Sequence, residues 1–173
     1  MSGLRLRESV ILSWDKDSLF RIDLTGKRPR FRIKGDGQKS GRDELLPLTP
    51  DFAEWLLATF PEGQRHGRVF KLNGYGSGAP IAPHRVGELV VKIGRRAAVV
   101  VATVEKKVRR DGKLVQVQVK KSASAHDLRR TFGTRWARKV MPAVLQKLMR
   151  HEDIQITMAF YVDLDVDEMA EEL

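Results

Sequence analysis

Residues 125–135 read Ala-His-Asp-Leu-Arg-Arg-Thr-Phe-Gly-Thr-Arg, and this stretch is the most informative part of the sequence. If it is helical, Leu128, Phe132 and Trp136 recur at every fourth position. Apolar residues at that spacing predict a buried stripe along one face of the helix. The polar residues between them then point elsewhere, so the segment predicts an amphipathic helix with a charged face.

Side chains on and after this helix suit the binding of a phosphate. His126 and Arg129 are three residues apart and share a helix face. An imidazole beside a guanidinium is a good phosphate receptor, because arginine offers a planar fork of donors to phosphate oxygens. Further along, a second histidine, His151, lies at the end of a short apolar helix, and a tyrosine, Tyr161, lies on the next helix.

The composition favours a globular protein with a polyanionic partner. The chain has 173 residues, 42% of them hydrophobic, which suffices for one domain with a real core. Its 32 Lys and Arg exceed its 22 Asp and Glu, for a net charge of +10. Such an excess favours nucleic acid first and an acidic membrane surface second, although an ordinary basic protein has the same composition. We expect one domain over residues 1–173.

Several classes of site and location are excluded or disfavoured. The absence of cysteine excludes disulfides, cysteine-based zinc sites and a cysteine nucleophile. We find no carboxylates or histidines at metal-ligand spacing, and we expect no metal and no cofactor. No apolar run approaches the roughly 20 residues of a membrane span, and the N-terminus lacks the apolar core of a signal peptide. We therefore expect a cytoplasmic protein without a membrane partner.

Periodicity and turn residues predict an α+β fold. A helix occupies the first dozen residues, and Thr49-Pro50 and Pro83 open two more. Alternating apolar residues predict a three-stranded antiparallel meander and, around Asp111-Gly112, a hairpin with a basic tip. The predicted strands cover residues 19–24, 29–34, 42–48 and the hairpin 98–121, and the last helices cover 126–139, 142–150 and 153–162.

Several segments resemble, in order, the motif blocks of the tyrosine recombinases of the phage-integrase type. His-Asp-Leu-Arg-Arg-Thr-Phe-Gly-Thr-Arg at 126–135, Leu-Met-Arg-His at 148–151 and Ile-Thr-Met-Ala-Phe-Tyr at 156–161 look like the C-terminal blocks. Ser-Gly-Leu-Arg-Leu-Arg-Glu at 2–8 is similar to the family's TGLRxSE block, and Lys-Ser-Gly-Arg at 39–42 to its KTGKxR turn. Each block alone is weak, whereas their joint order over nearly the whole chain is specific.

The resemblance implies a mainly helical catalytic domain with a small three-stranded antiparallel sheet, to which this chain adds a hairpin. It also implies an enzyme that cuts and rejoins DNA through a 3′-phosphotyrosine without metal or cofactor. The arginines would clamp the phosphate, the histidines would bind it and handle the tyrosine proton, and the lysine would protonate the leaving 5′-oxygen. The implied set is Arg5, Lys39, His126, Arg129, His151 and the nucleophile Tyr161, with Glu8 orienting a neighbouring arginine or histidine.

The resemblance further implies double-stranded DNA as partner and self-association on it as a tetramer. Basic residues outside the catalytic set are candidates for the DNA backbone or are simply solvated. Within the set, Lys34 is the rival of Lys39 and Tyr75 a poor rival of Tyr161. The candidate DNA contacts are Arg130, Arg135, Lys107, Arg109 and Arg110.

The chain also departs from the family pattern. Only four residues precede Arg5, so the helical DNA-clamping domain of the family is expected to be missing, and Arg150 replaces the commoner glycine before His151. Twelve residues follow Tyr161, which leaves little room for a long C-terminal exchange helix. The alternatives are a DNA-binding relative that does not cleave and an enzyme like the type IB topoisomerases. The complete catalytic set favours an enzyme.

Overall fold

The computed structural model describes residues 2–38, 41–74, 78–110 and 112–162, apart from the Arg110 side chain. The described residues combine helices with two small antiparallel sheets, and the predicted α+β class is confirmed. The helices are α1 Leu6–Ile11, α2 Pro50–Thr59, α3 Pro83–Arg96, α4 Ala125–Ala137, α5 Pro142–Met149 and α6 Ile154–Val162. The strands are β1 Phe20–Asp23, β2 Arg30–Ile33, β3 Glu44–Pro47, β4 Val100–Arg110 and β5 Lys113–Ser122.

The chain forms two compact units. The first comprises residues 1–72 and 129–173, and the second comprises residues 73–128. None of the helices in the described ranges is long and apolar enough to cross a membrane.

In the first unit, the three-stranded sheet has the order β1-β2-β3 and is antiparallel throughout. Phe20 pairs with Ile33, and Ile22 pairs with Phe31. Side chains alternate across a strand, so these four residues share the face that packs on the core, and all are at most 4% exposed. Burial of each such side chain stabilises the fold by about 1.5–3 kcal/mol. The core also contains Leu12 of the turn after α1 and Phe52 and Leu56 of α2.

A second apolar cluster in the same unit joins α4, α5 and α6. Phe132 of α4 packs with Leu145 and Met149 of α5, and Phe160 of α6 lies against them. Gly133 permits the close approach of α6, because a Cβ built there would be 2.5 Å from the Phe160 ring. This cluster places the C-terminal end of α5 against the middle of α4.

The predicted buried stripe of α4 is wrong at Leu128, which is 49% exposed. The inward position belongs to Arg129, which is 8% exposed, beside Phe132 at 2%. Arg129 and Leu128 flank Phe132 on the same side of the helix, at three and four residues' separation, and the buried edge is the one that carries Arg129. The helix buries a guanidinium where apolar periodicity alone favours a leucine.

The second unit contains α3 and the hairpin β4–β5. Gly94 of α3 lies close to the backbone of Ala123, since a Cβ there would be 2.7 Å from the Ala123 carbonyl oxygen. The strands pair antiparallel from Val100↔Ser122 to Arg110↔Lys113, with an irregularity between Val100 and Ala102. The predicted hairpin is confirmed, and most of its described side chains are exposed.

Candidate phosphate-binding site

Arg5 lies at the start of α1 and is held by Glu8, one turn later. The Arg5 backbone N–H donates to Glu8 Oε2 at 2.7 Å, and Arg5 Nη1 donates to Oε1 at 3.1 Å. The carboxylate thus caps the positive end of α1 and orients the guanidinium above it. Arg5 Nη2 donates to the carbonyl oxygen of Arg150 at 2.9 Å, and 49% of its side chain remains exposed.

Arg129 reaches the same place from α4. Its two terminal nitrogens donate to the carbonyl oxygens of Gly3 and Met149. Gly3 has a φ of +63°, and a Cβ there would be 2.6 Å from the Phe132 ring, so a glycine is required for this carbonyl to lie where it does. Burial, then the positive charges of Arg5 and Arg150, lower the pKa of Arg129 to about 10 although Glu8 opposes them. Arg129 therefore remains charged at neutral pH.

Arg150 is a third guanidinium at this point, and the sequence pattern marked it only as a departure from the family. It follows the last residue of α5 in a left-handed conformation, with φ 51° and ψ 53°. Its side chain is only 8% exposed and forms an ion pair with Glu8 Oε2. The guanidinium carbon lies 5.3 Å from the centre of the Phe20 ring, which is cation–π geometry. No spacing rule singles out such a residue; its position between a helix end and His151 was the available signal.

Arg5, Arg129 and Arg150 meet at the C-terminal end of α5. Carbonyl oxygens at a helix C-terminus lack helical partners and carry partial negative charge. Those of Met149 and Arg150 accept hydrogen bonds from Arg129 and Arg5. Three guanidiniums then face one carboxylate, Glu8, so the cluster has a net charge of about +2. Such a cluster is suited to an anion with several oxygen acceptors.

His151 follows this cluster and is held by α6. Its Nδ1 lies 3.0 Å from Oγ1 of the fully buried Thr157, and its ring stacks on Phe160 with 6.2 Å between centroids. Burial, then the charges of Arg129 and Arg5, lower the pKa of His151 to about 4. The ring is therefore neutral at pH 7, with one nitrogen that donates and one that accepts.

Tyr161 lies on α6, but its hydroxyl is directed at another partner. It donates a hydrogen bond to the Val140 carbonyl oxygen at 2.6 Å. Burial raises the pKa of Tyr161, which is opposite to the direction expected if surrounding cations favoured the phenolate. In this conformation the phenol is therefore protonated and is hydrogen-bonded to the backbone of Val140, just before α5.

The remaining catalytic candidates lie in the second unit or outside the described residues. His126 is an exposed residue in the first turn of α4 and belongs to the second unit. Lys39 and its sequence neighbour Ser40 lie outside the described residues, as does the rival nucleophile Tyr75. The rival Lys34 donates from Nζ to the Asp17 carbonyl oxygen at 3.0 Å.

The candidate DNA contacts differ in their exposure and in whether they form ion pairs within the protein. Arg130 on α4 and Lys107 and Arg109 on β4 are exposed. Arg135 forms a 2.9 Å ion pair with Asp51 of α2, and the two side chains are 42% and 31% exposed. Arg110 lies on β4, and its side chain is outside the described part of the structure. In the ranges that the structure describes, no group of three His, Cys, Asp or Glu side chains is placed to hold a metal ion.

Comparison with known proteins gives one family and one fold. The sequence profile of the Phage integrase family matches residues 1–168. No curated protein sequence gives a significant match.

Three of the similar solved structures are an integrase and two recombinases. The integrase of transposon Tn1549, solved with transposon right end DNA, is 19% identical with a TM-score of 0.55. The XerA recombinase is 16% identical with a TM-score of 0.56, and the XerH recombinase, solved on a palindromic difH substrate, is 19% identical with a TM-score of 0.54. Each alignment covers 99% of this chain but only 54%, 52% and 41% of the respective structure, so the chain spans about half the length of these proteins or less. At these identities the likeness shows the fold.

Proposed function

This chain belongs to the phage integrase family, and we propose that it breaks and rejoins double-stranded DNA as a site-specific recombinase, through a 3′-phosphotyrosine on Tyr161. One observation carries the proposal. Arg5 and Arg129, which the motif comparison assigns to the scissile phosphate, both donate to the C-terminal carbonyls of α5, next to the neutral His151. Arg5 and Arg129, more than a hundred positions apart in the sequence, therefore lie close together, and this proximity supports the proposal.

The cluster divides its tasks by exposure. Arg129 and Arg150 are buried and fix the local positive field, whereas Arg5 is half exposed and can meet an incoming phosphate. As the phosphorus becomes pentacoordinate, negative charge grows on its equatorial oxygens, and donors already in place stabilise that charge without reorganisation. The loss of one such donor typically costs about 3–4 kcal/mol of transition-state stabilisation.

The proton transfers complete the reaction. The Tyr161 oxygen forms a bond to phosphorus while the bond from phosphorus to the 5′-oxygen breaks. Neutral His151 would accept the phenol proton through a ring nitrogen, and the negative charge of a bound phosphate would raise the low pKa of this imidazole toward the range in which it acts as a base. Lys39 and His126 complete the proposed set, with Lys39 as the proton donor to the 5′-oxygen. The covalent intermediate conserves the energy of the phosphodiester bond, so rejoining needs neither ATP nor a metal ion.

The proposed partner is duplex DNA, bound by this chain as part of a tetramer in the cytoplasm. The net charge of +10 supports a polyanionic partner, and the Tn1549 integrase and XerH structures were solved with DNA. Beyond the cluster, the proposed backbone contacts are Arg130, Arg135, Lys107, Arg109 and Arg110.

The test is covalent capture on DNA of randomised sequence, so that no target site has to be chosen. A pool of nicked duplexes with a randomised core is incubated with the chain, and adducts that survive detergent are isolated. We expect an adduct that mass spectrometry maps to Tyr161, with the DNA joined through its 3′ end and a free 5′-hydroxyl that polynucleotide kinase can label. Tyr161→Phe should abolish the adduct, and the matched variant Tyr75→Phe should retain it. An adduct lost with Tyr75→Phe but kept with Tyr161→Phe would overturn the assignment.

A second candidate function is DNA binding without cleavage. It is favoured by one observation, the hydrogen bond that turns the Tyr161 hydroxyl toward Val140. Binding to duplex DNA with no adduct from any sequence in the pool would support it. Relaxation of any supercoiled plasmid, without enrichment of a site, would instead indicate chemistry like that of the type IB topoisomerases.

A further inference from the structure

A separate group of arginines lies on the sheet of the first unit, on the face opposite its core residues. In β1, Phe20 and Ile22 are buried in the core, so Arg21 and Asp23 lie on the other face. The antiparallel register pairs Asp23 with Arg30 and Arg21 with Arg32. Directly paired residues share a face, and this face therefore collects one carboxylate and the guanidiniums of Arg21, Arg30 and Arg32, here called the arginine platform.

The carboxylate of Asp23 organises the platform. Its Oδ2 lies 2.7 Å from Arg32 Nε, 3.2 Å from Arg30 Nε and 3.8 Å from Arg21 Nη2. Its Oδ1 accepts from the backbone N–H and hydroxyl of Thr25 at 3.0 Å and 2.5 Å. The Asp23 side chain is only 1% exposed. Burial by itself would raise the pKa of Asp23, but hydrogen bonds from Thr25, Arg32 and Arg30 hold that pKa well below its usual range.

The platform has more positive charge than the carboxylate can balance. One guanidinium suffices to neutralise a carboxylate, yet three converge on a single oxygen and leave a net charge of about +2. Like charges a few ångströms apart repel each other even when they are solvated. A merely structural ion pair gives no reason for the second and third arginines, whereas an external anion would offset their repulsion.

The terminal nitrogens of Arg30 and Arg32 are the groups that would bind such an anion. Arg30 and Arg32 engage Asp23 through Nε, and among the described residues neither has a partner for its terminal nitrogens. Their side chains are 38% and 43% exposed. They lie two positions apart on β2, about 7 Å along the strand. Each guanidinium is held through its Nε and keeps its two terminal nitrogens for another acceptor. Paired donors of this kind match the geometry of phosphate oxygens.

We propose that the arginine platform is a second phosphate-binding site, distinct from the cluster at the end of α5, and that it takes backbone phosphates of duplex DNA. The inference rests on the proposed function only for its partner, DNA, and not for cleavage. The chain's charge of +10 favours DNA over an acidic peptide as the source of the anion. Asp23 acts as a positioning residue that orders the arginines before the DNA arrives.

The first experiment measures how binding to DNA depends on salt. The dissociation constant of a fluorescent 30-base-pair duplex of arbitrary sequence is measured by anisotropy from 50 to 200 mM KCl for the unaltered chain, Arg30→Gln and Arg32→Gln. Each phosphate contact releases about one counterion, so each variant should lower the slope of log Kd against log [KCl] by about 1. Its affinity deficit should consequently shrink roughly three- to fourfold across this salt range.

Lys16→Gln is the matched control. It removes the same charge from the first unit, but Lys16 is an exposed residue between Asp15 and Asp17, where a DNA phosphate is disfavoured. Its slope should remain within half a unit of that of the unaltered chain. Thermal unfolding of each variant checks the fold, since a purely structural ion-pair cluster would lower Tm and leave the slope unchanged.

A second measurement needs no variant. Phenylglyoxal modifies the terminal nitrogens of accessible arginines, and mass spectrometry compares its reaction at Arg30 and Arg32 with and without the duplex. Protection by DNA supports the platform; equal modification, or unchanged slopes, overturns it. If the slopes do not change but Tyr161 is still captured, the platform alone is wrong. If the unaltered chain does not bind the duplex at 50 mM KCl, both the platform and the proposed function fail.

Discussion

Replacement of Arg150 separates two opposing contributions to the free energy of unfolding. The residue is in the left-handed region, with φ 51°, where a side chain is strained and glycine is not. Its buried guanidinium also pairs with Glu8 and covers the Phe20 ring. Arg150→Gly removes the strain together with the side-chain contacts, whereas Arg150→Ala removes the contacts and keeps the strain.

The magnitudes follow from these contacts. Glu8 keeps its two bonds to Arg5, so the loss of Arg150 does not leave a lone buried charge. The cost is then about 1.5–3 kcal/mol for a contact between charged groups and about 0.5–2 kcal/mol for the cation–π contact. A non-glycine residue in the left-handed region costs about 1–2 kcal/mol of stability, and glycine avoids this cost. Glycine also gives the unfolded chain more conformational freedom, which lowers the stability of the glycine variant by about 0.5–1 kcal/mol. We expect Arg150→Ala to lose about 3 kcal/mol and Arg150→Gly to lose about 1 kcal/mol less.

Urea unfolding at pH 7 measures these differences from the midpoint and slope of each transition. Ala98→Gly is the backbone control, because Ala98 is the other described non-glycine residue with positive φ, at 54°, and it should be neutral or slightly stabilising. A double-mutant cycle of Arg150→Gly with Glu8→Gln should show a coupling of at least about 1 kcal/mol. Equal stability of the Ala and Gly variants would refute the strain argument, and a coupling near zero would refute the ion pair.

Three further predictions concern the same unit. The pKa of His151 is 6.5 in the unfolded chain and about 4 in the folded protein, so the unfolded chain binds a proton between these values and the folded protein does not. The free energy of unfolding should therefore fall as pH falls from 6.5 to 4. His151→Gln should flatten the curve of unfolding free energy against pH in this range. Gly133→Ala should cost about 1–3 kcal/mol in thermal unfolding because its Cβ meets the Phe160 ring, whereas Gly63→Ala, with open surroundings, should cost far less. Tyr161→Phe should lose about 1 kcal/mol in urea unfolding, the worth of the hydrogen bond to Val140, and no loss would show that this bond is weak.

The sequence predicted the elements well where local chemistry determines them. Proline marks the first turn of α2, α3 and α5, and alternation locates the strands within one or two residues. The prediction failed at Leu128, because periodicity treats a leucine as buried and an arginine as exposed. Arg129 is buried because two backbone carbonyls from distant parts of the chain accept its hydrogen bonds, and no local pattern contains that information.

The sequence predicted most of the residues of the candidate site but not all of the contacts between them. The motif order singled out Arg5, Glu8, Arg129 and His151, which the structure brings together around the end of α5. It did not identify Arg150, since a residue that departs from a pattern is usually taken as a loss rather than as a new contact.

The position of Tyr161 is the point at which structure and proposed chemistry must be reconciled. In the proposed reaction, its hydroxyl would give up one hydrogen bond, to Val140, to reach a phosphate, at a cost of about 0.5–1.5 kcal/mol. That cost is smaller than the roughly 3–4 kcal/mol that a single preorganised donor contributes to such a transition state. The phosphate of bound DNA also supplies the acceptor that the phenol loses. In the proposed reaction, cleavage therefore begins only when DNA supplies the phosphate, because the Tyr161 phenol is otherwise held by its hydrogen bond to Val140.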